Sequence, residues 1–149
     1  MKISIKEQVN NIPSVLQALK VMRSKKIEVG ILGNQELAEK ARGNEFGTIS
    51  KLGNEHIPAR PFLRPTFDDP KVQRKLMELA RGFVSEGVDP YDVLEKVGAM
   101  MQSEIQAKIR SNIKPANAPS TIKRKRSRRT LIDKGRMIQA ITYKVSNAS

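Results

Sequence analysis

Residues 57–70, with the sequence IPARPFLRPTFDDP, hold four of the chain's eight prolines and two of its four phenylalanines. Each proline fixes its own φ at about −65°, lacks a backbone donor, and favours an extended conformation in the residue before it. Residues 57–69, the proline arm, are therefore predicted to be a stiff, extended segment. Apolar side chains and two arginines alternate along it, whereas a solvated linker is polar and flexible. We therefore expect the arm to dock, on the chain's own body or on a neighbouring subunit.

Length and composition set the class of protein. The 149 residues are expected to form one domain, 1–149, with a modest core of aliphatic side chains, because 38% of the residues are hydrophobic and only 4% aromatic. The sequence contains no cysteine, which excludes disulfides, thiolate metal sites and cysteine nucleophiles. No apolar run approaches the roughly 20 residues of a membrane span, and the N-terminus does not resemble a signal peptide. A cytosolic origin is expected, with no membrane partner.

The half of the chain before the arm is predicted to contain two strands and two helices. These are a strand over residues 2–6, a helix from Pro13 to Arg23, a strand from Ile27 to Leu32, and a helix from Gln35 to Arg42. Gly43 is expected to stop the second helix. We expect Phe46 to lie in the core. The alternative is a tight turn between Gly43 and Gly47 that presents Phe46 to a partner.

Two long helices are predicted after the arm, because each begins with an aspartate cap followed by proline. The pairs are Asp69-Pro70, with Asp68 as an alternative cap, and Asp89-Pro90. Both helices carry an apolar stripe, and the second is expected to end near Asn112. A helical turn over 133–139 and a strand over 140–145 follow. The pattern predicts an α+β fold, in which helices pack on one face of a small, mostly antiparallel sheet, with an extended proline arm and a basic loop.

The formal charge of +13 is concentrated near the C-terminus. Residues 123–136 hold eight basic residues and one acidic residue, a net charge of +7. Residues 114–130 lack hydrophobic periodicity and are predicted to form a flexible basic loop. Six of its cations could face DNA or an acidic partner: Lys123, Arg124, Lys125, Arg126, Arg128 and Arg129. A solvated loop without a partner is an equally weighted alternative.

Catalytic signals are weak. His56 is the single histidine, and a lone loop histidine is usually a surface residue. The sequence has no phosphate-binding glycine loop and no zinc-protease motif. Helix capping explains Asp68, Asp69 and Asp89 more simply than metal binding. No catalytic, cofactor-binding or metal-binding residue is predicted, nor a small-molecule substrate, and the protein is not expected to be an enzyme.

Three segments together resemble the tail-completion and neck (head–tail joining) proteins of tailed bacteriophages, a group that includes minor tail protein Z-like and virion morphogenesis proteins. They are residues 44–48 (NEFGT), 57–65 (IPARPFLRP) and 119–125 (PSTIKRK), the last leading to 131–137 (LIDKGRM) and 140–143 (AITY). The resemblance spans residues 35 to 145, and the arm is its most specific part. The chain departs from the family at two places. Members often have threonine where this chain has Lys134, and they usually have a glycine soon after the triplet at residues 123–125, where this chain continues with residues 126–129 (RSRR).

The resemblance implies a non-enzymatic virion protein of the neck or tail, made in the cytoplasm of the host bacterium. Copies would form a sixfold or twelvefold ring at the head–tail junction, each giving its arm to a neighbour. Its partners would be neck, portal-adaptor or tail proteins, with non-specific contact to packaged DNA. The arm residues expected at the subunit interface are Ile57, Pro58, Arg60, Pro61, Phe62, Leu63, Arg64 and Phe67.

Two other functions stay open on the sequence alone. The first is a small basic DNA-binding protein that uses residues 123–136 without assembling. The second, much weaker, is a nuclease, which would need carboxylates that converge beside a basic groove.

Overall fold

The computed structural model describes residues 5–49, 53, 56–125 and 127–149. Its elements in chain order are α1 (Ile5–Arg23), β1 (Lys25–Ile31), α2 (Gln35–Phe46), β2 (Thr48–Ile49), β3 (His56–Ile57), α3 (Arg64–Phe67), α4 (Pro70–Ser85), α5 (Pro90–Arg110), α6 (Pro119–Lys125), α7 (Arg136–Gln139) and β4 (Ile141–Asn147). Helices thus accompany a small antiparallel sheet, and the predicted α+β class is confirmed.

The main sheet has two strands and joins distant parts of the chain. β1 and β4 pair antiparallel, with Val29 opposite Tyr143 and Ile31 opposite Ile141. Both strands were predicted, with bounds that differ by one or two residues at each end. β2 and β3 form a second, two-residue ladder in which Thr48 faces Ile57.

Helix α5 is the element on which the fold is built. Its buried residues Met101, Ile105 and Ile109 recur at a spacing of four, as one stripe of an amphipathic helix. Ile105 and Ile109 belong to the core cluster, whose other members come from five separate parts of the chain: Ala41, Phe62, Leu131, Met137 and Ile141. Gly98, further towards the start of α5, lies against the Tyr143 ring. A Cβ at position 98 would come within 2.3 Å of Tyr143 Cδ2.

The predicted helix starts after the arm are correct. Asp69 Oδ1 accepts a hydrogen bond from the backbone nitrogen of Lys71 at 2.8 Å. Asp89 Oδ1 accepts one from that of Tyr91, also at 2.8 Å. Capping is a local interaction, and this is why it can be predicted from a few residues of sequence.

The N-terminal strand prediction is wrong where the structure describes it, since residues 5 and 6 belong to α1. Residues 2–4 lie outside the described residues. Helix α1 begins eight residues before the predicted start and runs through Pro13. The sequence already contained a helical period, because Ile5, Val9 and Ile12 are spaced four and three apart.

The predicted stop of α2 is also wrong. The helix continues through Gly43 and ends at Phe46, and Gly47 terminates it with φ 77°. A side chain at position 47 would lie 3.1 Å from the Ile57 carbonyl oxygen, so both the backbone angle and the space favour glycine there. The extra turn buries Glu45 to 3% exposure and leaves Phe46 63% exposed, contrary to the expectation that Phe46 lies in the core.

Two segments predicted to be irregular contain short helices. Residues 64–67 of the proline arm form α3, with Pro65 in its first turn, and Pro119 begins α6 within the predicted basic loop. Proline is tolerated at a helix start because the first N–H groups of a helix have no intrahelical partner. Leu63, with φ −80° and ψ −64°, already has helical backbone angles, so the extended description of the arm applies only to residues before it.

Candidate functional site

The buried carboxylate of Glu45, in the last turn of α2, holds the proline arm in place. Its Oε2 accepts hydrogen bonds from the backbone nitrogens of Phe62 at 2.8 Å and Leu63 at 3.0 Å. Its Oε1 accepts one from the backbone nitrogen of Arg64 at 2.9 Å, and the Arg64 Nε lies 3.4 Å from the same oxygen. Three successive backbone donors thus converge on one ionised side chain, which is a strong arrangement.

The surroundings of Glu45 favour its charged form. Burial on its own raises the pKa of the carboxyl group, but the backbone hydrogen bonds from Arg64, Leu63 and Phe62, with the Arg64 side chain, together hold it below its ordinary value. A carboxylate that accepts several N–H groups is stabilised in this way even when little of it is exposed.

Arg60 fastens the arm on its other side. Only 7% exposed, its side chain donates from Nε to the Pro115 carbonyl oxygen at 2.6 Å and from Nη2 to that of Ala116 at 3.1 Å. Its backbone nitrogen donates to the Asn44 carbonyl oxygen at 2.6 Å. Burial lowers the pKa of the guanidinium group. Arg60 therefore joins the end of α2 to the segment that follows α5.

Phe62 anchors the arm in the core. Its side chain has 0% exposure and packs in one cluster with Ile105 and Ile109 of α5. Thr66 Oγ1 donates to the Phe62 carbonyl oxygen at 2.7 Å, which links the arm to α3. The arm thus docks on the chain's own body. Phe62 and Arg60, which were predicted to contact a neighbouring subunit, are both buried within their own chain.

Other arm residues remain accessible and form, with the end of α2, a surface that we call the arm patch: Phe46, Ile57, Arg64 and Phe67. The three apolar members are 63%, 37% and 43% exposed. The Arg64 guanidinium carbon lies 4.9 Å from the centroid of the Phe46 ring. Phe67 lies three residues after Arg64 on α3, and therefore on the same side of that helix. Pro58, Pro61 and Leu63 are half-buried.

An open groove of about 420 Å³ adjoins the arm patch. It is lined by Glu39, Arg42, Gly43, Phe46, Gly47 and Thr48. Ile57 lies on the same side as this groove, because residues directly opposite in a ladder point to the same face and Ile57 is paired with Thr48. Ile49, although 65% exposed, points to the other face. Sequence reasoning placed Phe46 in the core and missed the groove, since Gly43 suggested an earlier helix end.

Hydrogen bonds join the beginning and the end of the predicted basic loop, residues 114–130, which we call the basic segment. Asn112 Oδ1 accepts from the Thr130 nitrogen at 2.9 Å, and Asn117 Nδ2 donates to the Arg129 carbonyl oxygen at 3.0 Å. Lys125 is half-buried and donates to the carbonyl oxygens of Thr130 at 3.1 Å and Arg129 at 3.4 Å. These bonds close residues 112–130 into a compact loop around α6.

The predicted cations of this loop therefore divide into two groups. Lys123, Arg124, Arg128 and Arg129 are exposed, and no ion pair with a carboxylate occurs for them in the described part of the chain. Lys125 instead donates hydrogen bonds to carbonyl oxygens of the same loop. Burial lowers the pKa of its ammonium group. Arg126 lies outside the described residues.

The residues considered for catalysis are either exposed or engaged in helix capping. His56 is exposed in β3, and Asp69 and Asp89 cap helices. Within the described ranges there is no group of three or more His, Cys, Asp or Glu side chains that could hold a metal ion.

None of the helices described is long and apolar enough to cross a membrane. No protein-family model, no curated protein and no solved structure matches this chain.

Proposed function

We propose that the protein is a non-enzymatic structural subunit of a tailed-phage virion, and that its copies assemble into a ring at the head–tail junction. The starting point is the resemblance to neck and tail-completion proteins, which is carried by residues 44–48, 57–65, 119–125, 131–137 and 140–143. In such a protein the function depends on surfaces that bind neighbouring subunits and not on a catalytic cleft.

The arm patch is the observation that carries the proposal. Phe46, Ile57 and Phe67 are exposed beside a groove, on a backbone that is held by Glu45 and Arg60. Clusters of exposed apolar side chains often mark protein–protein interfaces. A surface that is already ordered loses little conformational entropy when it binds, which favours association.

Light scattering coupled to size-exclusion chromatography tests the assembly role. We expect a species whose mass is a multiple of the 16.7 kDa chain, and images of assembled virions that place the protein at the head–tail junction. A strict monomer that is also absent from virions would refute the proposal.

A second candidate function is non-specific DNA binding by the four exposed cations of the basic segment. It is supported by the lack of ion pairs for Lys123, Arg124, Arg128 and Arg129 among the described residues. Fluorescence anisotropy with random duplex DNA at two salt concentrations tests it. Failure to bind even at low salt would remove this candidate.

A further inference from the structure

We propose that the arm patch of one copy receives the start of helix α5 of the next copy, which we call the tyrosine end: Tyr91 with Glu86, Asp89 and Asp92. The contact is head-to-tail: each copy binds one neighbour through its arm patch and the other neighbour through its tyrosine end. This inference rests on the proposed ring and specifies which two surfaces close it.

The two surfaces lie at opposite ends of α5. Tyr91 is the second residue of the helix, whereas Phe62 of the proline arm packs near its other end, with Ile105 and Ile109. The fourteen residues from Tyr91 to Ile105 span about 20 Å at roughly 1.5 Å per residue. One copy therefore cannot bring its own two surfaces together, and a contact between them has to join two copies.

The two surfaces also differ in charge. Arg42 of the groove and Arg64 of the arm patch are exposed cations, beside the carboxylate of Glu39. The tyrosine end contributes the carboxylates of Glu86, Asp89 and Asp92. Two cations lie near it: Lys25 beside the Tyr91 ring, and Lys96 four residues after Asp92 on α5. Glu86 and Asp92 are exposed. Opposite charges on the rims of two surfaces favour this pairing and disfavour contact between two copies of the same surface.

Tyr91 has the properties of an anchor for the groove. It is 47% exposed at a helix start, and buried aromatic side chains dominate the energetics of many interfaces. The Lys25 ammonium lies 4.8 Å from the centroid of its ring, so this ring already accepts a cation on its face. The guanidinium groups of Arg42 and Arg64 could provide further cation–π contacts in the assembly.

Leu16, Leu19 and Met77 are also exposed, but they are poorer partners for a cationic patch. Leu16 and Leu19 of α1 are 52% and 49% exposed, but Lys20 and Arg23 follow them on the same helix. Met77 of α4 is 53% exposed. The exposed cations Arg74 and Arg81 lie three and four residues away from it and outnumber the single Glu78. Charge therefore selects the tyrosine end from among these surfaces.

Two double variants and their mixture test the inference. Arg42→Glu with Phe46→Ser disables the groove, and Tyr91→Ser with Asp92→Lys disables the tyrosine end. We expect each variant alone to have the mass of one 16.7 kDa chain. A 1:1 mixture retains one intact groove and one intact tyrosine end, so it should form dimers and nothing larger.

Matched controls are Leu16→Ser and Met77→Ser, which should leave the ring intact. Circular dichroism melting of all variants checks that each is folded. A ring that persists in either double variant, a mixture that stays monomeric, or a control that blocks assembly would each overturn the inference while the ring proposal stands. A wild-type chain that is monomeric and absent from virions would overturn the ring proposal, and this inference with it.

Discussion

The Glu45 carboxylate lies 2.8 Å from the backbone nitrogen of Phe62, and this contact joins the last turn of α2 to the arm residue with the most deeply buried side chain. The two residues are 17 positions apart in the sequence. Through this pair the proline arm becomes part of the core rather than a projection from it.

Glu45→Gln should lower the free energy of unfolding by about 1–3 kcal/mol, because the neutral amide accepts the converging N–H groups less well and places its own NH₂ group against one of them. Urea denaturation at pH 7 measures the loss. Glu39→Gln is the matched control, since Glu39 is exposed on the same helix, and a change within about 0.5 kcal/mol is expected there. Equal effects of the two substitutions would contradict the assigned role of Glu45.

The same carboxylate should make stability depend on acidity. Because the pKa of Glu45 is lowered in the folded chain, its contribution is fully present above the unfolded value of about 4.3 and is lost as the pH falls through the folded value. Unfolding midpoints in urea measured from pH 6 to pH 3 should therefore fall less steeply for Glu45→Gln than for the wild type. Parallel curves would show that Glu45 is not a source of the acid sensitivity.

Phe62→Ala should destabilise the monomer by about 3–5 kcal/mol, since it removes a fully buried aromatic side chain from the core cluster. Phe67→Ala, which alters a 43% exposed ring on α3, should cost less than about 1 kcal/mol. Chemical denaturation at a concentration where the protein is monomeric separates the two effects. A small loss for Phe62→Ala would mean that the arm detaches without unfolding the body.

Gly98→Ala should destabilise the chain by about 1–3 kcal/mol, because its Cβ would lie 2.3 Å from Tyr143 Cδ2 and 2.8 Å from Cγ, so either the Tyr143 side chain has to leave its position or β4 has to shift. Gly82→Ala is the matched control in α4, where an added Cβ meets no atom within 4 Å. That substitution should be neutral or stabilising by up to about 1 kcal/mol. If both substitutions stabilise, the close contact between α5 and β4 is not maintained in solution.

Replacing Lys123, Arg124, Arg128 and Arg129 by serine should weaken any binding to duplex DNA and reduce its salt dependence. Each phosphate contact contributes about 0.9 to the slope of log K against log salt, so the loss of four contacts should reduce the slope by roughly 3–4. Four cations from other helices, Lys20, Arg23, Lys71 and Arg74, provide a variant of the same net charge. If both variants change the slope equally, net charge rather than this segment governs the binding.

Local signals account for the parts of the fold that the sequence predicted well. The caps at Asp69 and Asp89 act within two residues, and the alternation of β1 and β4 follows from burial of one face. The end of α2 could not be predicted in this way. A glycine in a helix costs about 1 kcal/mol, which favoured a stop at Gly43. The hydrogen bonds that Glu45 makes with distant residues offset that cost.

The arm and the basic segment show the same limit. Prolines favoured a stiff segment, but they could not indicate that Arg60 would donate to carbonyl groups 55 and 56 residues further along the chain. Nor could charge alone distinguish Lys125, which closes its own loop, from Lys123 and Arg124, which are exposed. The Arg60 contacts join distant parts of the chain, whereas those of Lys125 are local. Both side chains bind backbone carbonyl groups, which every residue has whatever its type, so the sequence does not indicate which of them will be bound.

The attachment of the arm also defines a signature by which divergent relatives could be recognised. It requires an acidic residue at position 45, a glycine two residues later where φ is 77°, and a Pro-Phe pair at positions 61 and 62. Glu45 provides the acceptor, Gly47 the backbone angle and Phe62 the buried anchor, and none of these contacts involves residues 123–136. A homologue could therefore lose most of its positive charge, and bind different neighbours, while it still carries this pattern and folds its arm in the same way.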